Sequence, residues 1–293
     1  MPTTRRQILA ASAAALLAKR LPEPDPLRVY FIGNSISDTI RPAALARLAG
    51  SRGRRLVWGR QMIPGAPLQW IWDHPADGFQ EEPFGRYPRA LTEFSWDALS
   101  LQPFDRQLDG DESADFPTAR RFIDLALPRS PTLEILIYSR WPRRDEEAPD
   151  RYKPLDYAAK WQRPYHPGAW DGTNETRDYF ERFLARLREA YPNLSIRLVP
   201  VGDVLLALDQ QMRDGKLPGL PSVERLYQDG IHLNALGSYV VGCTYYATLF
   251  RDNPVGLPHE PYEVDDPVLA GAVQTTAWNV VRAHPAAGLA PPT

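Results

Sequence analysis

A three-layer α/β sandwich around a mostly parallel sheet is the fold class this sequence predicts, and three features predict it. Short apolar runs of β-branched and aromatic residues recur along the chain, and segments of helical periodicity separate them. The polar residues of most interest follow directly after those runs, where ligands sit in parallel sheets. The 293 residues suffice for one large domain or two small ones with a sizeable core.

The first run, Arg28-Val-Tyr-Phe-Ile-Gly33, ends in Gly-Asn-Ser and reads as a buried strand entering a turn. Residues 38–50 are rich in Ala, Leu and Arg and close on Gly50, as a helix does. Further strands are expected at 54–60, 96–102, 133–139 and 195–200. Tyr179, Phe180, Phe183, Leu184 and Leu187 share one face of a helix over 175–190. Leu236, Val240, Cys243, Ala247 and Phe250 recur at helical spacing over 235–251. In the tail, 254–293, Asp265-Asp266 can cap and Pro267 suits a first turn, so one helix is expected over 268–282, packed on the domain. Between them, 141–173 is a long segment carrying Trp141, Tyr152, Tyr157, Trp161, Tyr165 and Trp170. Read as a structureless loop, it is expected to be a lid or binding loop, its aromatics either stacking sugar rings or pinning it to the sheet.

Composition narrows the function classes. The 34 Lys+Arg against 36 Asp+Glu, without a basic run, leave no electrostatic footprint for nucleic acid. Cys243 stands alone, so no intramolecular disulfide and no paired-Cys zinc site can form. The five His are scattered without metal-ligand spacing, and no metal or organic cofactor is expected. Thirty Pro, about twice the usual share, predict long ordered loops, because Trp and Tyr accompany them. Arg5-Arg6 ahead of the apolar run Ile8–Ala18 resembles a twin-arginine export signal, so residues 1–25 are set apart from the fold and a periplasmic or extracellular location is expected. That run is too short to span a bilayer of roughly 20 helical residues, and no stable membrane insertion is expected.

Two short segments carry the chemistry. Ser35 follows the first strand beside Gly33, with its hydroxyl exposed where backbone N–H groups can face a developing oxyanion. A serine hydroxyl needs a base, and Asp229-Gly-Ile-His232 lets one short loop present both an imidazole and the carboxylate that orients it. The plain alternatives are a helix-capping serine and an Asx turn before Gly230.

Gly33-Asn34-Ser35 and Asp229-Gly-Ile-His232-Leu-Asn-Ala-Leu-Gly resemble the first and last sequence blocks of the SGNH (GDSL-like) hydrolase superfamily. The resemblance covers about residues 27–253 and implies a flavodoxin-like α/β/α fold and hydrolysis of esters, including acetyl groups on carbohydrates. It implies Ser35 as nucleophile, His232 as base and Asp229 as the acid that orients it. Gly65, in Ile63-Pro-Gly-Ala-Pro-Leu68, is the best counterpart of the second-block oxyanion glycine. The third block departs: Leu101-Gln102-Pro103 stands where an Asn is usual, and the Gln102 amide is expected to serve the oxyanion in its place.

Asn34, Arg140 and Trp141 are the candidate substrate contacts, with Arg140, Arg143 and Arg144 open to a plainer reading as a solvated basic patch. The expected activity is that of an exported serine esterase acting on a small-molecule or carbohydrate ester. A glycan-binding protein on the same fold and an acyltransferase using the same residues remain alternatives, and the sequence does not specify the oligomeric state.

Overall fold

The computed structural model describes residues 25–169 and 171–289, so the Arg5-Arg6 segment and Trp170 lie outside the described residues. Five parallel strands form the sheet where apolar runs were expected: β1 (Leu27–Gly33), β2 (Leu56–Met62), β4 (Ala98–Leu101), β5 (Glu134–Tyr138) and β8 (Ile196–Val199). A two-residue strand, β3 (Phe79–Gln80), adds antiparallel to β2, giving the order β3-β2-β1-β4-β5-β8. Strand β1 therefore lies centrally, paired with β2 from Leu27 opposite Leu56 to Gly33 opposite Met62, and with β4 from Val29 opposite Ala98. Val29 to Ile32 are buried on both faces of the sheet, which is why this strand reads as an unbroken apolar run rather than an alternating one.

Helices cover both faces. Pro42–Ser51, Val201–Arg213, Ala235–Phe250 and Pro267–Ala283 pack together in one layer. Leu68–Asp73, Tyr87–Glu93, Asp115–Ala126 and Arg177–Ala190 form the other. The result is a three-layer α/β/α sandwich. The tail helix Pro267–Ala283 is capped by Asp266, whose carboxylate accepts the Val268 and Leu269 N–H groups, and it packs against Ala235–Phe250.

Two expectations change. The helix over 38–50 is split: Ser35–Ile40 is a 3₁₀ turn, Arg41 takes a left-handed conformation, and the α-helix starts at Pro42. Proline lacks the N–H that would continue the turn but suits a first helical position, so the break falls there. The segment 141–173 is not structureless. It contains the hairpin β6 (Glu146–Ala148) and β7 (Arg151–Tyr152), and the short helix Tyr157–Trp161. Trp141, Tyr157, Trp161 and Tyr165 are all buried, so these aromatics pin the segment to the domain instead of offering stacking faces.

One buried carboxyl shapes stability. Asp115 opens the helix Asp115–Ala126 and is fully enclosed; one oxygen takes the Tyr179 hydroxyl and the other has no partner. Burial raises its pKa from 3.8 to about 8, against the opposing pull of the Tyr179 hydroxyl and of Arg140 and Arg106. The unfolded chain releases this proton near pH 4 while the folded protein keeps it to about pH 8, so stability falls as pH rises through that window. Chemical denaturation from pH 5 to 8 should show wild-type stability declining, by at most ~1.4 kcal/mol per pH unit from this group. Asp115→Asn, which stays neutral, should flatten that decline.

Candidate active site

The turn after β1 is built from close approach. A Cβ on Gly33 would lie 1.9 Å from the Ser37 hydroxyl and 2.9 Å from the Gln102 side chain, so only glycine fits there. Asn34 then caps the 3₁₀ turn: its Oδ1 accepts the Ile36 N–H at 3.0 Å, and its Nδ2 donates to the Ala66 carbonyl at 3.1 Å. These bonds leave Ser35 half-buried at the C-terminal end of the central strand.

The second part of the site comes from a loop 197 residues further on. A bridge between Tyr227 and Leu233 and the Gln228 N–H bond to the His232 carbonyl close this loop. Inside it, Asp229 Oδ1 accepts the N–H groups of Ile231 (2.8 Å) and His232 (2.7 Å), and Oδ2 meets His232 Nδ1 at 2.7 Å. Across the cleft, His232 Nε2 lies 2.9 Å from the Ser35 hydroxyl. Partial burial works to raise the Asp229 pKa, but the His232 and Ile231 N–H groups and the imidazole together hold it below the usual value. An ionised Asp229 fixes the ring proton on Nδ1 and leaves Nε2 free to accept the Ser35 proton; this tautomer is assigned from the hydrogen-bond network. The structure thus brings together Ser35, His232 and Asp229 in a geometry able to activate a hydroxyl.

The flanking residues divide. The loop carrying Gly65 lies against the Ser35 turn through the Asn34–Ala66 bond and the Ile63 N–H bond to the Gly33 carbonyl. Gly65 is exposed with φ +69°, and among the described residues neither its N–H nor that of Ser35 has a partner. Gln102, expected at the oxyanion, is turned the other way. Its Oε1 accepts the Asn34 N–H at 3.1 Å, and its Nε2 donates to the adjacent Pro103 carbonyl at 2.8 Å. It is 1% exposed and buttresses the turn from below.

None of the three candidate substrate contacts reaches the surface. Asn34 is buried in its own capping bonds. Arg140 is neither a substrate contact nor part of a solvated patch: it is buried under the Phe104 ring and paired with Glu175 at 2.7 Å and Asp105 at 2.9 Å. Burying a guanidinium requires such partners, and Glu175, itself 2% exposed, had no motif to announce it. Trp141 is fully buried, and its indole N–H donates to the Ile231 carbonyl at 2.8 Å.

A groove of about 720 Å³ opens beside His232, lined by Arg143, Arg144, Asp145, Glu146, Asp150 and Tyr152 along with the base loop. A smaller pocket of about 340 Å³ adjoins it through Arg143 and Asp145. Most of the residues that line them are charged. Among the described residues, no three His, Cys, Asp or Glu side chains gather as a metal site requires, and no helix is long and apolar enough to cross a membrane.

No family model matches the chain, and no curated protein matches it. Among solved structures, a DUF4886 family protein from Bacteroides uniformis is similar with a TM-score of 0.58 and 19% identity, over 88% of this chain and 95% of that one. A Streptococcus pneumonia protein provisionally named a platelet activating factor aligns over 84% of this chain and 100% of its own, at 14% identity and a TM-score of 0.44. The first likeness shows a shared fold.

The position of Gln102 has a measurable consequence. Gln102→Met keeps the length of the side chain but removes its carbonyl acceptor and amide donor, orphaning the buried Asn34 N–H. Urea unfolding should show a loss of about 1–3 kcal/mol. An unchanged midpoint would mean that the turn does not lean on Gln102.

Proposed function

We propose that the chain is an exported serine esterase that hydrolyses an acyl ester, acetyl being the leading candidate, of a carbohydrate or other small polar alcohol. The observation that carries this reading is the unbroken line from the Ser35 hydroxyl through His232 to Asp229, at 2.9 and 2.7 Å. The SGNH-like blocks around Ser35 and His232 support it independently of the distances.

In the proposed cycle His232 Nε2 takes the Ser35 proton as the serine oxygen attacks the ester carbonyl. The unpartnered N–H groups of Ser35 and Gly65 stabilise the oxyanion, without the Gln102 amide. Collapse of the tetrahedral intermediate breaks the ester C–O bond, and His232 returns its proton to the departing alcohol. Water, deprotonated by the same imidazole, then releases the acid and restores Ser35. The Asp229 carboxylate stays ionised throughout and stabilises the imidazolium. His232 is half-buried and borders an open groove, so water can reach the imidazole that would activate it; this favours hydrolysis over acyl transfer.

Purified protein should cleave p-nitrophenyl acetate, and Ser35→Ala should abolish turnover while circular dichroism stays unchanged. Turnover that survives in folded Ser35→Ala would contradict the mechanism. Asp229→Asn should lower kcat by about 10³- to 10⁴-fold, because the amide no longer enforces the Nδ1–H tautomer.

A further inference from the structure

The base loop belongs to no helix or strand, and its two functional side chains are 36% and 42% exposed. Something must nonetheless hold His232 within 2.9 Å of Ser35. The two peptide planes that lead into His232 are each held from both sides. On the N–H side, Asp229 Oδ1 accepts from Ile231 and from His232. On the carbonyl side, the partners all come from the segment that leaves β5. The Arg144 N–H donates to the Gly230 carbonyl at 2.8 Å, and the Trp141 indole donates to the Ile231 carbonyl at 2.8 Å.

That segment is itself anchored. The Pro142 carbonyl accepts the Tyr227 hydroxyl at 2.8 Å, and the Arg143 N–H donates to buried Glu175 at 2.6 Å. The Arg144 guanidinium pairs with Glu224 at 3.0 Å and lies 4.7 Å over the Tyr152 ring. The orientation of the Ile231–His232 peptide fixes where the imidazole starts, so a carbonyl left free lets that plane rock about the single Asp229 bond.

We propose that Trp141 is a positioning residue: its indole N–H, acting through the Ile231 carbonyl, sets the distance between His232 and Ser35. The kinetic part of this inference rests on the hydrolase reading; the geometric part does not. A misplacement near 1 Å lowers rate by about 10²-fold, chiefly through the chemical step rather than through binding.

Trp141→Phe keeps an aromatic ring and removes only the donor and part of the bulk. Its kcat on p-nitrophenyl acetate should fall by about 10- to 100-fold with KM within about twofold of wild type. The low-field proton resonance of His232 Nδ1–H, shared with Asp229, should shift or broaden. Trp96→Phe is the control, because Trp96 is also a buried indole that donates to a backbone carbonyl, that of Ala90 at 2.8 Å. It should leave both kcat and the resonance unchanged. If Trp141→Phe does not fold, Tyr227→Phe frees the Pro142 carbonyl and should move both readouts in the same direction. Wild-type kcat and resonance in the variant, or equal changes in Trp96→Phe, would overturn the proposal. If the wild type itself cleaves no ester, the hydrolase reading fails, while the resonance still decides whether Trp141 holds the base.

Discussion

Strand β1 runs through the middle of the sheet, with β2 and β3 to one side and β4, β5 and β8 to the other. The chain departs in opposite directions from this point, so the loops after neighbouring strands separate and leave a crevice at the C-terminal end of β1. Ser35 lies there because β1 ends there. The Gly65 loop, the Gln102 buttress and the exit from β5 are the next loops around the same crevice. The sheet order therefore determines which residues can meet Ser35, long before any side chain is considered.

The base is held differently. Nothing in the sheet carries Asp229 and His232; they stand on a loop stabilised by its own carboxylate and by the segment 141–144. Asp229 has two tasks, one oxygen shaping the loop and the other orienting the imidazole, so the position and the tautomer of the proposed base depend on one side chain. The exposed loop is braced by buried residues: Trp141 on one carbonyl, Tyr227 and Glu175 behind it.

The parallel strands and the helices Arg177–Ala190, Ala235–Phe250 and Pro267–Ala283 were legible because each buries a continuous apolar face. Ser35, Asp229 and His232 were legible because two of them share a four-residue loop and the third follows an apolar run. What the sequence could not convey was set by partners far along the chain. Gln102 accepts from Asn34, 68 residues away, and that bond decides which end of its amide faces inward. Arg140 reads as a surface cation until Glu175, 35 residues on, makes its burial tolerable. Trp141 reads either as a stacking face or as a loop anchor until its indole is seen to donate to Ile231, 90 residues on. The 3₁₀ turn, the two-residue β3 and the hairpin β6–β7 are shorter than the window over which periodicity can be read.

The central claim is that His232 activates the Ser35 hydroxyl, and covalent capture tests it without knowledge of the natural substrate. Native protein treated with a fluorophosphonate probe should acquire one adduct, which peptide mass spectrometry assigns to Ser35. Labelling should slow strongly in folded His232→Ala. Absence of an adduct, an adduct on another serine, or labelling of Ser35 at an undiminished rate without His232 would contradict the claim.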